Sequence, residues 1–255
     1  MTKFSANLGF LWTDRSLPDA IRAAKSAGFD AVECHWPYDT PAEDVAAALT
    51  ETNLTMLGLN TRRGNPDQGD NGLAAIPDRV EEARAAIDEA INYAVAIGTA
   101  NIHVMAGFAQ GKLARDTFIT NLRRACDFAG ANNQSILIEP LNTYDAPGYF
   151  LSTTTQAEAI IEDVGADNLK LMFDCYHVQL MEGDLSNKLE RLKPVIGHIQ
   201  FASVPDRGAP DHGEINYSHL FKHIDELGYD MALGAEYKPQ ASTDDTLDWL
   251  KSLKQ

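Results

Sequence analysis

Four polar side chains each end an apolar run in the second half of the sequence: Glu139, Asp174, Gln200 and Glu236. The intervals 174 − 139, 200 − 174 and 236 − 200 are 35, 26 and 36 residues, each close to the length of one strand and one helix. Parallel strands joined by helices present their carboxyl ends on one rim. We therefore expect three carboxylates and one carboxamide to meet there. Such carboxylates repel one another unless a cation or bound protons offset their charge.

This set of oxygen donors predicts a divalent metal site. Carboxylate and amide oxygens without cysteine favour Mg²⁺ or Mn²⁺ over Zn²⁺. An ion bound by a substrate carbonyl and its neighbouring hydroxyl would acidify the C–H bond between them by stabilising the enediolate. Glu139 and Glu236 come from the two ends of the four-strand arc, so one could take a proton from a carbon and the other could return it to the next. Asp174 and Gln200 would then be ligands only.

The whole chain alternates between predicted strands and predicted helices. About eight rounds fit into the 255 residues, or about 32 residues each. Consecutive strand–helix units require a parallel sheet. Eight of them predict a closed (β/α)8 barrel, a single domain spanning residues 1–255. An open doubly wound sheet is the alternative, but residues 7–10 lack the glycine-rich phosphate turn that it would carry after its first strand.

Hydrophobic periodicity and turn residues set the predicted bounds. In the third helix, Val80, Ala83, Ile87 and Ile91 recur near the 3.6-residue period, and Gly98 ends the pattern. The predicted strands are 4–8, 31–33, 55–59, 101–104, 135–139, 169–174, 195–200 and 231–236. The predicted helices are 17–27, 41–52, 78–97, 115–132, 154–164, 185–193, 217–227 and 246–254.

Two loops on the predicted active face carry positive charge. Residues 61–72 follow the third strand, contain Arg62 and Arg63, and could form a mobile lid. Arg207 lies in the loop after the seventh strand, where barrels commonly bind anionic groups. A planar guanidinium suits a carboxylate because it forms two parallel hydrogen bonds. Lys238, two residues after Glu236, is a competing anchor, as are the two arginines of the first loop.

Composition narrows the class of protein. There are 21 Lys and Arg against 37 Asp and Glu, so the formal net charge is −16, which argues against a nucleic-acid partner. No apolar run approaches the roughly 20 residues of a membrane span, so no membrane partner is expected. The three cysteines, an odd number with wide spacing, fit neither a disulfide framework nor a zinc site. They favour a reducing, cytoplasmic compartment.

On these motifs the sequence resembles the hydroxypyruvate isomerase family, one of the xylose-isomerase-like TIM barrels. The matching segments are residues 138–142, 147–150, 173–179, 198–200, 204–207, 213–217 and 236–239. Looser matches lie at residues 36–39 and 103–107, so the resemblance covers essentially the whole chain. The ketose 3-epimerases and endonuclease IV resemble the chain more distantly.

The resemblance implies an isomerase that interconverts a small 2-oxo-3-hydroxy acid, hydroxypyruvate, and its aldehyde tautomer, tartronate semialdehyde. It implies Glu139 and Glu236 as the acid/base pair. The implied metal ligands are Glu139, Asp174, Gln200 and Glu236. His177 and Arg207 resemble positions that hold substrate oxygens. A homo-oligomer is implied by analogy with relatives.

Several alternatives to this assignment are open. Gln200 fits the hydroxypyruvate isomerase branch, because ketose 3-epimerases usually present histidine at that strand end. The same motifs also occur in isomerases of 2-oxo-tetronates, which have four carbons. A phosphodiesterase of the endonuclease IV type would need further His and Glu ligands and a basic face, and an inactive sugar-acid binder would be expected to lack Glu139 or Glu236. Asp206 departs from the family pattern, where glycine often precedes the arginine.

Overall fold

The computed structural model describes residues 2–253, and within them eight strands form one parallel sheet. The strands are β1 (Phe4–Asn7), β2 (Ala31–Glu33), β3 (Gly58–Asn60), β4 (Asn101–His103), β5 (Ser135–Ile138), β6 (Leu169–Asp174), β7 (Ile196–Phe201) and β8 (Leu233–Ala235). Their hydrogen-bonded order is β2-β1-β8-β7-β6-β5-β4-β3. The two ends of this order meet where Val32 of β2 bridges Met56, just before β3. The predicted (β/α)8 barrel is therefore confirmed.

Helices connect the strands on the outside of the barrel. Within the described residues they are α1 (Leu17–Ala27), α2 (Ala42–Thr52), α3 (Val80–Ile97), α4 (Gly111–Gly130), α5 (Thr154–Val164), α6 (Cys175–Met181), α7 (Leu185–Leu192), α8 (Tyr217–Glu226) and α9 (Asp248–Leu253). Each long helix buries one face, as α3 does with Ala83, Ile87, Ile91 and Ala94. Crossover helices of this kind are what parallel neighbouring strands require.

Three predicted elements differ most from the structure. Helix α4 begins at Gly111 instead of residue 115, because Lys112, Leu113 and Ala114 continue the helix toward its start. The predicted strand 55–59 is shifted to β3, since the backbone around Thr55 pairs with β2 on the other side. The predicted helix 246–254 is a 3₁₀ turn followed by α9, and position 254 lies outside the described residues.

The short helix α6 was not predicted. It starts immediately after β6, and the side chain of Asp174 caps it by accepting a hydrogen bond from the backbone N–H of Tyr176 at 2.8 Å. Because the strand passes into the helix without a loop, His177 stands one turn above Asp174 on the same rim.

A register shift between β6 and β7 aligns two of the predicted site residues. Leu171 pairs with Ile196, but Met172 pairs with His198, so β7 contains one extra residue at this point. The bulge brings Asp174 opposite Gln200. Both side chains therefore reach the carboxyl-terminal rim at the same height.

An aromatic cluster joins β1 and β7, the two neighbours of β8, to the last two helices. Phe201 lies 5.9 Å from Phe4, 4.9 Å from Phe221 and 5.5 Å from Trp249 between ring centroids, in edge-to-face geometry. Each ring is buried. Since these residues come from β1, β7, α8 and α9, the cluster ties both ends of the chain to the barrel.

The structure also bears on the predictions about the three cysteines and about membrane spans. Cys34, Cys126 and Cys175 are buried free thiols, and burial raises the pKa of each. Within residues 2–253, no helix is both long and apolar enough to cross a lipid bilayer.

Replacing Phe201 by alanine should lower the free energy of unfolding by about 3–5 kcal/mol, because it empties the centre of the aromatic cluster. Urea unfolding followed by circular dichroism measures the change. Val95→Ala on the half-exposed face of α3 is the control and should shift stability by less than about 0.5 kcal/mol. Equal losses in the two variants would show that the cluster has no special weight.

Candidate active site

Each strand of the barrel has a polar residue at its carboxyl-terminal rim, either within its last two positions or directly after it. These residues are Asn7, Glu33, Asn60, His103, Glu139, Asp174, Gln200 and Glu236. The sequence analysis predicted the last four as metal ligands but did not identify Asn7, Glu33 and Asn60. These three residues end β1, β2 and β3, which are strands of only three or four residues and give no clear apolar run. The rim is therefore polar around its whole circumference.

Three of the four predicted metal ligands form a tight buried cluster with His177. One ligand atom each from Glu139, Asp174, His177 and Glu236 lies within 4.8 Å of the others. Oε1 of Glu139 and Oδ2 of Asp174 are buried and have no hydrogen-bond partner. The fourth predicted ligand, Gln200, lies beside the cluster, with its Nε2 3.4 Å from Glu236 Oε1 and its own Oε1 without a partner.

These unpartnered oxygens fit a divalent metal ion. A buried carboxylate oxygen without a hydrogen bond is costly unless a cation or a proton satisfies it. Glu139, Asp174 and Gln200 each offer one such oxygen. Oxygen donors on neighbouring strand ends form the kind of site that hard divalent ions occupy. Which of these side chains bind the ion stays a prediction.

His177 is held as a hydrogen-bond donor toward the carboxylates. Its Nδ1 lies 3.0 Å from the backbone N of Asn142, which can only donate, so Nδ1 accepts and the proton is on Nε2. Nε2 lies 3.6 Å from Asp174 Oδ2 and 3.8 Å from Glu139 Oε1. Burial, and then the charge of Arg207, lower the pKa of His177 to about 3. A neutral ring with its N–H facing the site suits contact with a substrate oxygen better than metal ligation.

Arg207 reaches into the cluster from the loop after β7. Its guanidinium lies between the rings of Phe10 and Tyr176, with Cζ 4.9 and 5.0 Å from their centroids. Nη2 donates to Glu236 Oε2 and lies 3.8 Å from Asp174 Oδ2. Nε is buried and has no hydrogen-bond partner. The side chain is therefore fixed in place with one donor still available.

Glu33 supports the site from below. Its Oε1 accepts from Asn7 at 2.9 Å and from Gln200 at 2.8 Å, and its Oε2 lies 2.6 Å from His198 Nε2. Gly234 of β8 makes room for this network, because a Cβ there would fall 2.6 Å from Glu33 Oε1. The hydrogen bonds fix the orientation of the Gln200 amide, whose oxygen then faces away from Glu33.

His35 contacts Glu236 directly and was not predicted to do so. Its Nε2 lies 3.0 Å from Glu236 Oε1, which also accepts from Asn7 Nδ2 at 3.0 Å. The ring stands edge-on to Phe10 at 5.1 Å between centroids. A histidine in a loop after a three-residue strand gives no periodic signal, so the sequence did not predict this contact.

The carboxyl groups of the cluster differ in proton affinity. Burial, and then the negative charge of Glu236, raise the pKa of Asp174 to about 8. Burial and the charges of Glu236 and Asp174 raise the pKa of Glu139 well above its usual value. Burial acts in the same direction on Glu236, but Arg207 and His35 outweigh it and lower its pKa. Glu236 is thus an ionised carboxylate close to a Glu139 that tends to hold a proton.

A cavity of about 250 Å³ opens above the cluster. Its lining includes Glu139, His177, Arg207, Glu236 and Lys238. The volume is below the range of pockets for drug-sized ligands, which suits a small molecule. The cavity therefore joins the predicted acid/base pair and both predicted substrate contacts, His177 and Arg207.

The loop 61–72 borders this cavity through Asn71. Asp70 holds the loop by an ion pair to Arg79 at 2.7 Å and by accepting from the backbone N–H of Asn65, also at 2.7 Å. Arg63 stacks over Trp36 with Cζ 4.4 Å from the ring centroid. A role as a mobile lid stays a prediction.

Comparison with known proteins gives full-length matches. Residues 21–253 match the model of the family described as xylose isomerase-like TIM barrel. The chain is 45% identical over 255 residues to a 2-oxo-tetronate isomerase from Cupriavidus necator, with 98% of each chain covered. It is 39% identical over 255 residues to a hydroxypyruvate isomerase from Escherichia coli, again with 98% of each covered.

Solved structures match the fold equally completely. A crystal structure titled AP endonuclease, family 2, from Brucella melitensis superposes with a TM-score of 0.95 at 37% identity, covering 99% of both chains. A 3-keto-D-glucoside 4-epimerase from E. coli superposes with a TM-score of 0.83 at 21% identity, covering 99% of both chains. The second similarity concerns the fold alone.

Replacing Gly9 by alanine should expel the His35 ring from its place beside Glu236. A Cβ at Gly9 would fall 2.1 Å from His35 Nδ1, a distance that no contact tolerates. We expect a loss of about 1–3 kcal/mol in the free energy of unfolding and a displaced imidazole in a crystal structure of the variant. Gly58→Ala is the control, because its Cβ would lie 3.6 Å from the nearest atom. An unmoved ring at wild-type stability would contradict this reading of the site.

Proposed function

Since the chain belongs to the xylose isomerase-like TIM barrel family, we propose that its acid cluster isomerises small 2-oxo-3-hydroxy acids. The curated relatives of matching length are isomerases by name, hydroxypyruvate isomerase and 2-oxo-tetronate isomerase. The protein is accordingly an isomerase of small oxo acids. The observation that supports the mechanism most directly is the buried pair of Glu139 and Glu236, within 4.8 Å of each other beneath a small cavity.

The two glutamates supply a base and an acid. Glu236, kept ionised by Arg207 and His35, takes the proton from C3 of the substrate. The electron pair of that C–H bond forms the enediolate across C2 and C3. Glu139 in its protonated form, which burial favours, gives its proton to C2, while the hydroxyl proton passes from the oxygen on C3 to the oxygen on C2. The carbonyl group has then moved from C2 to C3, and both glutamates return to their first state through a second proton exchange with water.

Two further side chains orient the substrate. Arg207 Nε, buried and without a partner, is placed to donate to the substrate carboxylate. His177 Nε2–H faces the space over Glu139 and Asp174, where it can donate to an oxygen of the reacting carbons. The rings of Phe10 and Tyr176 on either side of Arg207 exclude water from this contact.

A divalent ion, Mg²⁺ or Mn²⁺, is the proposed cofactor. Its ligands would be Glu139, Asp174, Gln200 and Glu236. Bound there, the ion would supply positive charge that favours the enediolate, which carries one more negative charge than the substrate. Glu33 would hold Gln200 with its amide oxygen turned toward that position.

Hydroxypyruvate, with three carbons, is the first proposed substrate and 2-oxo-tetronate, with four carbons, is the second. The 45% identity to the C. necator 2-oxo-tetronate isomerase is the observation that supports including the second substrate. Both acids present the same carboxylate, 2-oxo group and 3-hydroxyl to the site. The same residues therefore serve both reactions.

Incubation with either acid in ²H₂O should incorporate deuterium at the carbon that receives the proton, as followed by proton NMR. Glu139→Gln and Glu236→Gln should each lower kcat by about 10²–10⁴-fold, because one proton transfer loses its donor or acceptor. Glu43 is exposed on α2, so Glu43→Gln is the control and should keep wild-type turnover. If neither acid reacts with the wild-type enzyme in the presence of Mg²⁺ or Mn²⁺, the proposed function is wrong.

Titration calorimetry without substrate should detect saturable binding of Mn²⁺ or Mg²⁺. Asp174→Asn removes the negative charge of one proposed ligand and should weaken metal binding by about 10–100-fold. Asp116→Asn, a half-exposed carboxylate on α4 paired with Lys112, is the matched control. Equal metal affinity in both variants would remove Asp174 from the ligand set.

A further inference from the structure

Arg207 is delivered to the site by a strained loop. Its φ is 55°, in the left-handed region that residues other than glycine rarely adopt. The backbone is held by three hydrogen bonds: Arg207 N–H to Ser203 O at 3.0 Å, Ser203 N–H to Gly208 O at 2.9 Å, and Lys238 N–H to Arg207 O at 2.7 Å. A conformation of this kind persists only where its surroundings over-determine it. The side chains that do so lie next to Arg207.

Asp206 is the centre of a hydrogen-bond network in this loop. Its Oδ1 accepts from the Ser203 hydroxyl and from the Gly208 N–H at 3.3 Å. Its Oδ2 accepts from Gln240 at 2.9 Å and lies 2.8 Å from His212 Nε2. Both carboxylate oxygens of Asp206 are therefore engaged, and His212 is the only charged partner in this network among residues 2–253.

The His212 ring lies between two carboxylates, one at each ring nitrogen. Its Nε2 faces Asp206, and its Nδ1 lies 2.7 Å from Asp211 Oδ1. Two carboxylate acceptors on opposite nitrogens require a proton on each, so the geometry matches the imidazolium form. The ring is about half exposed, and it can exchange its proton with solvent.

Gly208 creates the space that this arrangement needs. A Cβ at Gly208 would fall 2.9 Å from both Asp206 Oδ2 and His212 Cε1. Any side chain at position 208 would thus separate the ring from the carboxylate. The contact between His212 and Asp206 depends on a residue adjacent to Arg207.

The set of Ser203, His212 and Asp211 superficially resembles a hydrolytic triad, but its geometry excludes that role. Ser203 is fully buried, so no substrate carbonyl can reach its oxygen. Its hydroxyl proton is donated to Asp206, and Nε2 of His212 lies 3.2 Å away. A nucleophilic serine must donate its proton to the histidine instead. The network is built for holding the loop.

We propose that protonated His212 fixes Asp206 and thereby positions Arg207 for the substrate carboxylate, so that affinity for the oxo acid depends on the charge of His212. The proposal rests on the proposed function, because it takes Arg207 as the carboxylate anchor. His212 and Asp206 act through Arg207 and are positioning residues. They do not line the active-site cavity.

The direction of the pH dependence follows from the contacts of the ring. The titratable groups facing His212 are Asp206 and Asp211, and the neutral partners are Ser203 and the Gln240 amide on the same Asp206 oxygen. Hydrogen bonds to Asp211 and then Asp206 raise the pKa of His212. We call the ion pair between protonated His212 and Asp206 the clamp. Below the ordinary histidine pKa the clamp is complete, and it is lost as pH rises through the raised pKa of His212. The neutral ring can accept from Ser203, which then releases Asp206.

Kinetics across pH about 6 to about 9 test the clamp, because this range spans a raised histidine pKa. In the wild-type enzyme KM should rise by about fivefold toward high pH, the upper end for a half-exposed ion pair, while kcat follows the same pH profile as in His212→Arg. His212→Gln should have the raised KM at every pH. His212→Arg, which keeps a planar cation, should hold the low KM throughout. His219→Gln on α8, away from this loop, is the matched control and should follow the wild type.

Two variants leave His212 in place and change its partner or its space. Asp206→Asn removes the charge, and Gly208→Ala pushes the ring away, so both should reproduce the pH-independent high KM of His212→Gln. Thermal unfolding confirms that each variant is folded. Arg207→Ala, measured in parallel, gives the KM of an enzyme without the anchor. A pH step in KM that persists in His212→Arg, or a wild-type KM profile in His212→Gln, would overturn the proposal.

An NMR titration decides the question without turnover. In labelled wild-type protein the His212 ring and the Arg207 guanidinium signals should shift with one midpoint, and the Arg207 step should vanish in His212→Arg. An Arg207 signal that ignores His212 would overturn the proposal even in an active enzyme. If the signals are coupled but neither oxo acid reacts, the clamp stands and the proposed function fails.

Discussion

Negative charge confined in a poorly hydrated space is the constraint on which the site depends. Glu33, Glu139, Asp174 and Glu236 are all buried on one rim. Arg207 compensates part of the negative charge of this group, and protons or a divalent ion must compensate the remainder. The raised pKa values of Glu139 and Asp174 express this imbalance. A chain with no catalytic use for such charges would replace them by apolar residues at little cost.

The barrel can hold this charge because its strand ends are rigid and its supporting polar groups are complete. Glu33 has hydrogen bonds from Asn7, Gln200 and His198, so it adds charge without adding an unsatisfied group. The oxygens left without partners belong instead to Glu139, Asp174 and Gln200. Hydrogen-bonded support beneath the proposed ligands is a form of preorganisation, because the free energy of orienting their side chains is spent during folding.

The barrel and four of the eight polar residues at its rim could be predicted from the sequence. Strand and helix alternation depends on local periodicity, which is why most elements were found, and Glu139, Asp174, Gln200 and Glu236 followed from their place after apolar runs. Glu33 was passed over because β2 has three residues and shows no clear run. The contacts of His35 and Arg207 with Glu236 span 201 and 29 residues of sequence and arise from irregular loops. No periodic pattern encodes where a loop places a side chain.

In the proposed mechanism Arg207 both anchors the substrate and contacts the base Glu236, so substrate binding changes the strength of that base. The guanidinium can keep Nη2 on Glu236 while Nε, which is free, binds a carboxylate, so the anchor does not have to leave the base. A substrate carboxylate on the same guanidinium neutralises part of its charge and weakens its hold on the Glu236 proton equilibrium. The proton affinity of Glu236 therefore increases when an anionic substrate arrives. A neutral sugar of the same size would lack this effect, which gives the site a physical reason to prefer oxo acids over ketoses.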